Sequence, residues 1–428
     1  MRKFLLGFMI AVVGFGRPNA VGAVDLSRPL LWNGPLSRAQ AIARAMVAGF
    51  DVRAARADAE IARGQAIGQR SAVLPQVSVS GNAINANLPQ FGMPVARQTY
   101  VSASVSVPIF NPSGSAGVRS ATLSATASSE DLESVINDAA FAAVQAYDRA
   151  VLGAQVADAR RVAVADQAAN VRFVELRVRA GKDPRYLLAR SRAGLASAQQ
   201  MAEDAAAERD EAFNDLKLAL DFDPASAVVF PDRFTQTPYD DSAAAATLRA
   251  LRQRPDLAAA KARVEAARAG LTQAKAAYEP SAALTAQSYN GSSNPPLGAS
   301  GGQVGVTVSL PTFDASRRGA IVEASAQLDK ARAAFERQQL AVQDEVANAW
   351  RELEAASVNV QTAQAALNDA LESLRVARLR QRAGKGIELE VLDALAVASN
   401  ARENILKAQE RYDLAVGGVR HATADRQT

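Results

Sequence analysis

The chain has no cysteine and a single histidine, His421, in 428 residues. That excludes disulfides, thiolate metal sites and a lipid-modified cysteine near the N-terminus. Phosphate-binding loops and clusters of metal-ligating side chains are missing as well; "GSAG" (Gly114–Gly117) has neither the lysine nor the strand context of a nucleotide loop and is expected to be a bend before a helix. His421 sits near the end of the chain and is expected to be a solvated residue in a polar tail, 421–428. No enzymatic chemistry and no cofactor are expected. Long hydrophobic runs are absent except Phe4–Phe15, which is too short for a spanning helix, since that needs about 18 apolar residues. Preceded by Arg2 and Lys3 and followed by small residues at Ala20–Ala23, it predicts a secretory leader over 1–23. Removing Arg2, Lys3 and Arg17 lowers the formal charge from +4 to about +1, which gives no reason to expect nucleic acid as a partner.

Proline and glycine are absent over long stretches. No proline lies between Pro112 and Pro184 or after Pro311, and no glycine lies from Ala320 to Ala383. Nothing there forces a helix to break. Apolar residues recur every seventh position at Val346, Leu353, Val360, Leu367 and Leu374, and 203 residues earlier at Ala143, Ala150, Ala157, Val164 and Val171. A sustained seven-residue period predicts helices packed along their length in a left-handed supercoil. A run of about 64 residues reaches roughly 95 Å.

The equal spacing reflects a duplication. Phe50–Pro75 parallels Pro255–Pro280, "VPIFN" (Val107–Asn111) parallels "LPTFD" (Leu310–Asp314), and "RAGK" occurs at Arg179–Lys182 and again at Arg382–Lys385. The organisation is expected to be repeat 1 over 24–220, a Pro- and Asp-rich linker over 221–242, and repeat 2 over 243–420. Each repeat carries a helix, a hairpin and two long helices. Strands are expected at about 76–87 and 99–108, and at about 282–290 and 303–311. Long helices are expected at about 116–180 and 184–218, then 317–382 and 388–418. The fold class is mainly α with a small β part.

The strands alternate. Val101, Ala103, Val105 and Val107 face opposite to Ser102, Ser104 and Ser106; Val304, Val306, Val308 and Leu310 face opposite to Gly305, Thr307 and Ser309. That suits either a half-buried sheet or a strand of a transmembrane barrel. The flanking helices leave no globular core to cover a sheet. Four strands do not close a barrel, and an open edge in lipid costs several kcal/mol per unpaired backbone group. Membrane insertion therefore predicts a homo-oligomer. Tyr100 and Tyr289, beside the hairpin loops, suit an aromatic girdle.

The ordered set of duplicated strand exits, two "RAGK" turns and "GKGIELEVLDALAVASNA" (Gly384–Ala401) resembles the outer membrane efflux protein family, the TolC-like channels, over nearly the whole chain after the leader. The resemblance implies a homotrimer with a shared 12-stranded barrel in the outer membrane, four strands per chain, above a periplasmic α-helical barrel. It implies docking on a periplasmic adaptor protein that links to an inner-membrane pump, with Arg179, Ala180, Gly181, Lys182, Arg382, Ala383, Gly384 and Lys385 as the docking tips. It also implies an acidic aperture ring six and nine residues beyond the second-repeat glycine, at Glu390 and Asp393. In repeat 1, Leu187 and Arg190 occupy those positions, a departure that alters the inter-helix links. The expected function is a passive exit duct for drug, metal or other small-molecule efflux. An exit duct for one-step protein secretion and an exported coiled-coil scaffold remain as alternatives.

Overall fold

The computed structural model describes residues 30–86, 96–234, 239, 241–293, 300–311 and 314–425. The expected leader, the two hairpin loops and the side chains of Tyr100 and Tyr289 lie outside the described residues. Each repeat is a helix pair, a hairpin and a second helix pair. Repeat 1 runs α1 (Arg38–Ala48), α2 (Phe50–Gln69), β2 (Gln76–Ala86), β3 (Ala96–Phe110), α3 (Pro112–Arg179) and α4 (Arg185–Ala219). Repeat 2 runs α5 (Ala243–Gln253), α6 (Pro255–Ala276), β5 (Ser281–Ser293), β6 (Gly301–Ser309), α7 (Ala315–Arg382) and α8 (Glu388–Ala422). Two short strands, β1 (Asn33–Pro35) and β4 (Ala227–Val229), pair in parallel.

The duplicated strand exits are helix caps. Asn111 accepts the Gly114 N–H at 2.9 Å, and Asp314 accepts the Ser316 N–H at 2.9 Å, so each hairpin hands directly into a long helix. With its N1 proline, α3 therefore begins four residues before the expected start, and "GSAG" lies inside the helix rather than forming a bend. Both α3 and α7 have 68 residues, about 100 Å of helix.

The seven-residue seam is buried in α7 at Val346, Leu353, Val360 and Leu374, and it continues to Gln381. In α3 it holds through Ala143, Ala150 and Ala157, then moves by one residue, to Ala163, Gln167, Asn170 and Val174. The shift places two amides, Gln167 and Asn170, rather than Val164 and Val171, on the buried face near the tip.

The four long strands form one sheet in the order β2-β3-β5-β6, antiparallel throughout. Its register aligns Val77, Val105, Ala286 and Val304 across one face, and Ser78, Ser104, Gln287 and Gln303 across the other. Pairs on the polar face bond side chain to side chain: Ser78 with Ser104 at 2.7 Å, Ser80 with Ser102 at 2.9 Å and Gln303 with Gln287 at 3.1 Å. The valines are exposed, Val77 at 71 % and Val304 at 76 %. Among the described residues no helix is long and apolar enough to cross a membrane.

The inter-repeat segment belongs to the core. Phe222 stacks on Trp32, and Phe230 meets Tyr147 edge to face. The fully buried Tyr147 hydroxyl lies 2.9 Å from both the Leu36 carbonyl and the Asp232 carboxylate. Nearby, burial pushes the Asp148 carboxyl up to about 7, against the pull of Arg38 at 2.9 Å.

His421 is not in a solvated tail. It lies in the last turn of α8, with its side chain 18 % exposed. It stacks on Phe141 and bridges Asp138 of α3 at 2.8 Å to Glu345 of α7 at 3.5 Å. Burial pulls the imidazole down, but the two carboxylates outweigh it and hold its pKa at about 9. A raised histidine value stabilises the fold below the ordinary value of about 6.5, and that contribution is lost as pH rises through about 9. In protein labelled on histidine nitrogen, the single imidazole resonance should titrate near 9. A midpoint near 6.5 would show that the bridge does not hold.

Candidate functional site

Both "RAGK" segments form the same turn. Gly181 and Gly384 have φ of +70° and +73°, the left-handed region that glycine adopts without the backbone strain a Cβ brings. The Gly181 N–H donates to the Val178 carbonyl at 3.0 Å and that of Lys182 to Arg177 at 2.9 Å; Gly384 donates to Gln381 at 3.0 Å and Lys385 to Arg380 at 2.9 Å. This crossed pair satisfies carbonyls that a helix end otherwise leaves open. The eight tip residues Arg179, Ala180, Gly181, Lys182, Arg382, Ala383, Gly384 and Lys385 are all exposed.

The turns match in backbone and differ in charge. In repeat 1, Arg177 grips Asp183 with two hydrogen bonds, at 2.6 and 2.9 Å, and holds its carboxyl below the usual carboxylate range. Its third nitrogen reaches the Gln381 carbonyl at 3.4 Å, joining the two tips. In repeat 2, Gly386 takes the place of Asp183, and Arg380 turns to Glu390 at 3.9 Å. Glu390 is half-buried on the first turn of α8, and Asp393 is exposed one turn on. Of their repeat-1 counterparts, Leu187 is half-buried, while Arg190 is exposed on the rim of a groove of about 380 Å³ between α3, α4 and α8.

The most enclosed charge at the tip is Glu388, which sequence reasoning did not single out. It is 4 % exposed and accepts from three other helices: Asn170 of α3 at 2.6 Å, Ser191 of α4 at 2.8 Å, and the Gln381 side-chain amide of α7. Burial pushes its carboxyl above the ordinary glutamate value, against those hydrogen bonds. A signal was present, because Glu388 shares one stripe with Val391, Leu395 and Ala398, at helical spacings that face a partner. Among the described residues no cluster of His, Cys, Asp and Glu is arranged to hold a metal.

A sheet with one aliphatic and one hydroxyl-and-amide face, standing on paired helices about 100 Å long, defines a membrane-spanning duct component. The family model of the outer membrane efflux proteins matches residues 41–221 and 248–424, and the chain belongs to that family. Its members are passive channels, not enzymes, and they reside in the outer membrane. Solved structures share the fold. The outer membrane channel CmeC of Campylobacter jejuni is 19 % identical with a TM-score of 0.79, covering 90 % of this chain and 85 % of its own. VceC of Vibrio cholerae is 19 % identical at 0.79, covering 90 % and 95 %. The open-state MtrE channel of Neisseria gonorrhoeae is 20 % identical at 0.76, covering 90 % and 88 %. No curated protein matches the chain.

Replacing Glu388 with Ala should strand the buried Asn170 donor at a cost of about 1–3 kcal/mol, while the Ser191 hydroxyl keeps the Leu187 carbonyl at 2.9 Å. Glu388→Gln keeps an acceptor and should cost less. Because burial raises the carboxyl, the wild-type tip is most stable below the ordinary glutamate value and loosens as pH rises through the raised one; Glu388→Gln removes that slope. Hydrogen exchange of the amides from Gln381 to Val391 is the measurement. Equal protection in wild type and Glu388→Ala would show that Glu388 does not tie the tip.

Proposed function

We propose that the chain is the outer-membrane exit duct of a tripartite efflux system, a homotrimer in which each chain contributes four strands to one 12-stranded barrel. One observation carries this reading: the four-stranded sheet has an exposed aliphatic face and strands β2 and β6 at its open edges. Lipid covers the first, and only a neighbouring copy satisfies the second. Support comes from α7, where Val322, Leu340 and Val358 are exposed in a row repeating every 18 residues, five helical turns, as expected of a seam against another copy. The barrel's inner wall then presents serine, threonine and glutamine, which suits a water-filled exit for small solutes of mixed chemistry.

At the far end, the "RAGK" turns are the docking tips for a periplasmic adaptor, and through it for an inner-membrane pump. Glu390 and Asp393 project six carboxylates into the aperture of the trimer, a ring that favours cations and resists its own closure. Chemistry at this component is passive, without nucleotide or cofactor. The matching family model, that of the outer membrane efflux proteins, supports an efflux duct; the adaptor and pump choose the cargo.

The deciding experiment separates inner from outer membranes and weighs the detergent-extracted protein by light scattering. A trimer in the outer membrane is expected; a soluble monomer or dimer would overturn the duct and leave the scaffold. Glu390→Ala combined with Asp393→Ala should raise single-channel conductance and lower cation preference in a planar bilayer. If both stay at wild-type values, the ring is not the gate.

A further inference from the structure

We infer that the tip is a cationic docking surface whose partner is a protein presenting carboxylates around an apolar centre. This rests on the docking role proposed above and assigns that partner its chemistry. Residues 172–192 and 375–395, the equivalent windows around the two turns, hold twelve Lys or Arg against five Asp or Glu, an excess of seven positive charges. The whole chain is +4, so everything outside the two windows is net −3. Positive charge is therefore gathered at one end of a roughly 100 Å helical body.

The five acidic residues are largely committed. Glu175 lies 2.8 Å from Arg179 and 3.8 Å from Arg192, Asp183 is gripped by Arg177, Glu388 is buried, and Glu390 turns to Arg380. Among the described residues, Arg172, Lys182, Arg185, Arg190, Arg382 and Lys385 are exposed with no carboxylate in ion-pair reach. Between these cations the surface exposes Leu176, Tyr186, Leu379 and Ile387, with Tyr186 at 67 % and Ile387 at 60 %. Arginine and tyrosine around aliphatic side chains make the composition of interface centres, where aromatic and arginine contacts carry most of the binding energy. Ten of the twelve cations are arginine, whose planar fork matches a carboxylate in two hydrogen bonds. A membrane surface would take a continuous apolar helical face; here the apolar residues are single points set among charges on two tight turns. A protein partner fits better than lipid.

The full-length trimer can be tested with two synthetic helical hairpins of the same apolar sequence, one with four glutamates at its turn and the other with four lysines. Fluorescence anisotropy should show the glutamate hairpin binding at least about tenfold tighter, with the preference shrinking by about that factor between 50 and 300 mM salt. A variant carrying Lys182→Glu, Arg185→Glu, Arg382→Glu and Lys385→Glu alters only exposed residues outside the ion pairs. It should keep its trimer mass and helical signal and prefer the lysine hairpin instead. Equal binding of both hairpins would overturn the charge assignment while leaving docking at the tip intact. Binding only to phosphatidylglycerol vesicles would assign the surface to lipid and overturn it. Binding to no probe would overturn it too, while the membrane location, mass and conductance tests of the duct stand independently.

Discussion

Everything in this molecule depends on what becomes of the backbone amides and carbonyls along β2 and β6. A sheet four strands wide, with aliphatic side chains on one face, is stable in lipid only when its edges are paired, since no water is present there to take the place of a neighbouring strand. The sheet's own twist turns one edge away from the other, so a single chain does not close upon itself. Identical copies joined edge to edge do. In the proposed homotrimer, the rotation that brings β6 of one copy to β2 of the next carries the long helices round with it, because Asn111 and Asp314 fix each hairpin to the first turn of its helix. Closing the sheet thus also sets which faces of α7 meet another copy and which line the interior.

Duplication supplied two nearly equal helix pairs, and divergence at their tips made them unequal. The backbone turn at Gly181 and that at Gly384 agree in φ within a few degrees and in both crossed hydrogen bonds. What changed is where the charge goes. Repeat 1 keeps its acid on the turn, as Asp183 against Arg177. Repeat 2 has glycine there and moves its acids into α8, one of them buried against α3, α4 and α7. Glu388 keys the α7–α8 pair into the α3–α4 pair, while the Arg177 contact with the Gln381 carbonyl adds a second tie between them.

Much of this was legible in the residues, because it rests on period and spacing. The two-residue alternation at Val101–Val107, the seven-residue seam from Val346 to Leu374 and the 203-residue offset survive any detail of packing. What escaped was whatever depends on contacts distant in sequence. Nothing near Ala227–Val229 announces a strand, since its partner lies at Asn33–Pro35, and a Pro- and Asp-rich stretch looks like a linker until Phe222 and Phe230 are seen against Trp32 and Tyr147. His421 looked solvated because its immediate neighbours are polar; its carboxylate partners come from α3 and α7. Glu388 was passed over beside Glu390 and Asp393, because burial of a carboxylate is decided by Asn170 and Ser191, about 200 residues away.

The seam also explains why the tip is the part of the helical body suited to opening. From Val346 to Leu374 the α7 seam is aliphatic, and its burial is held by the hydrophobic effect, which is non-directional and tolerates small shifts. Near the tip the buried positions include polar ones, Gln167 and Asn170 in α3, Gln381 in α7 and Glu388 in α8, set beside Val174, Val391 and Leu395. Polar groups in a seam add little net stability, because each loses water in proportion to what it gains, but they specify one arrangement. A region held by a few directional bonds has a lower cost of local opening than one held by continuous apolar burial. Exchanging the bonds at Glu388 for water or for a partner's groups removes polar ties between the two helix pairs, while the apolar cluster around Leu374, Val391 and Leu395 still holds α7 to α8. Placing the polar stretch within about four turns of the tip glycines, rather than along the middle of the helices, confines that weakness to the end of the helical body.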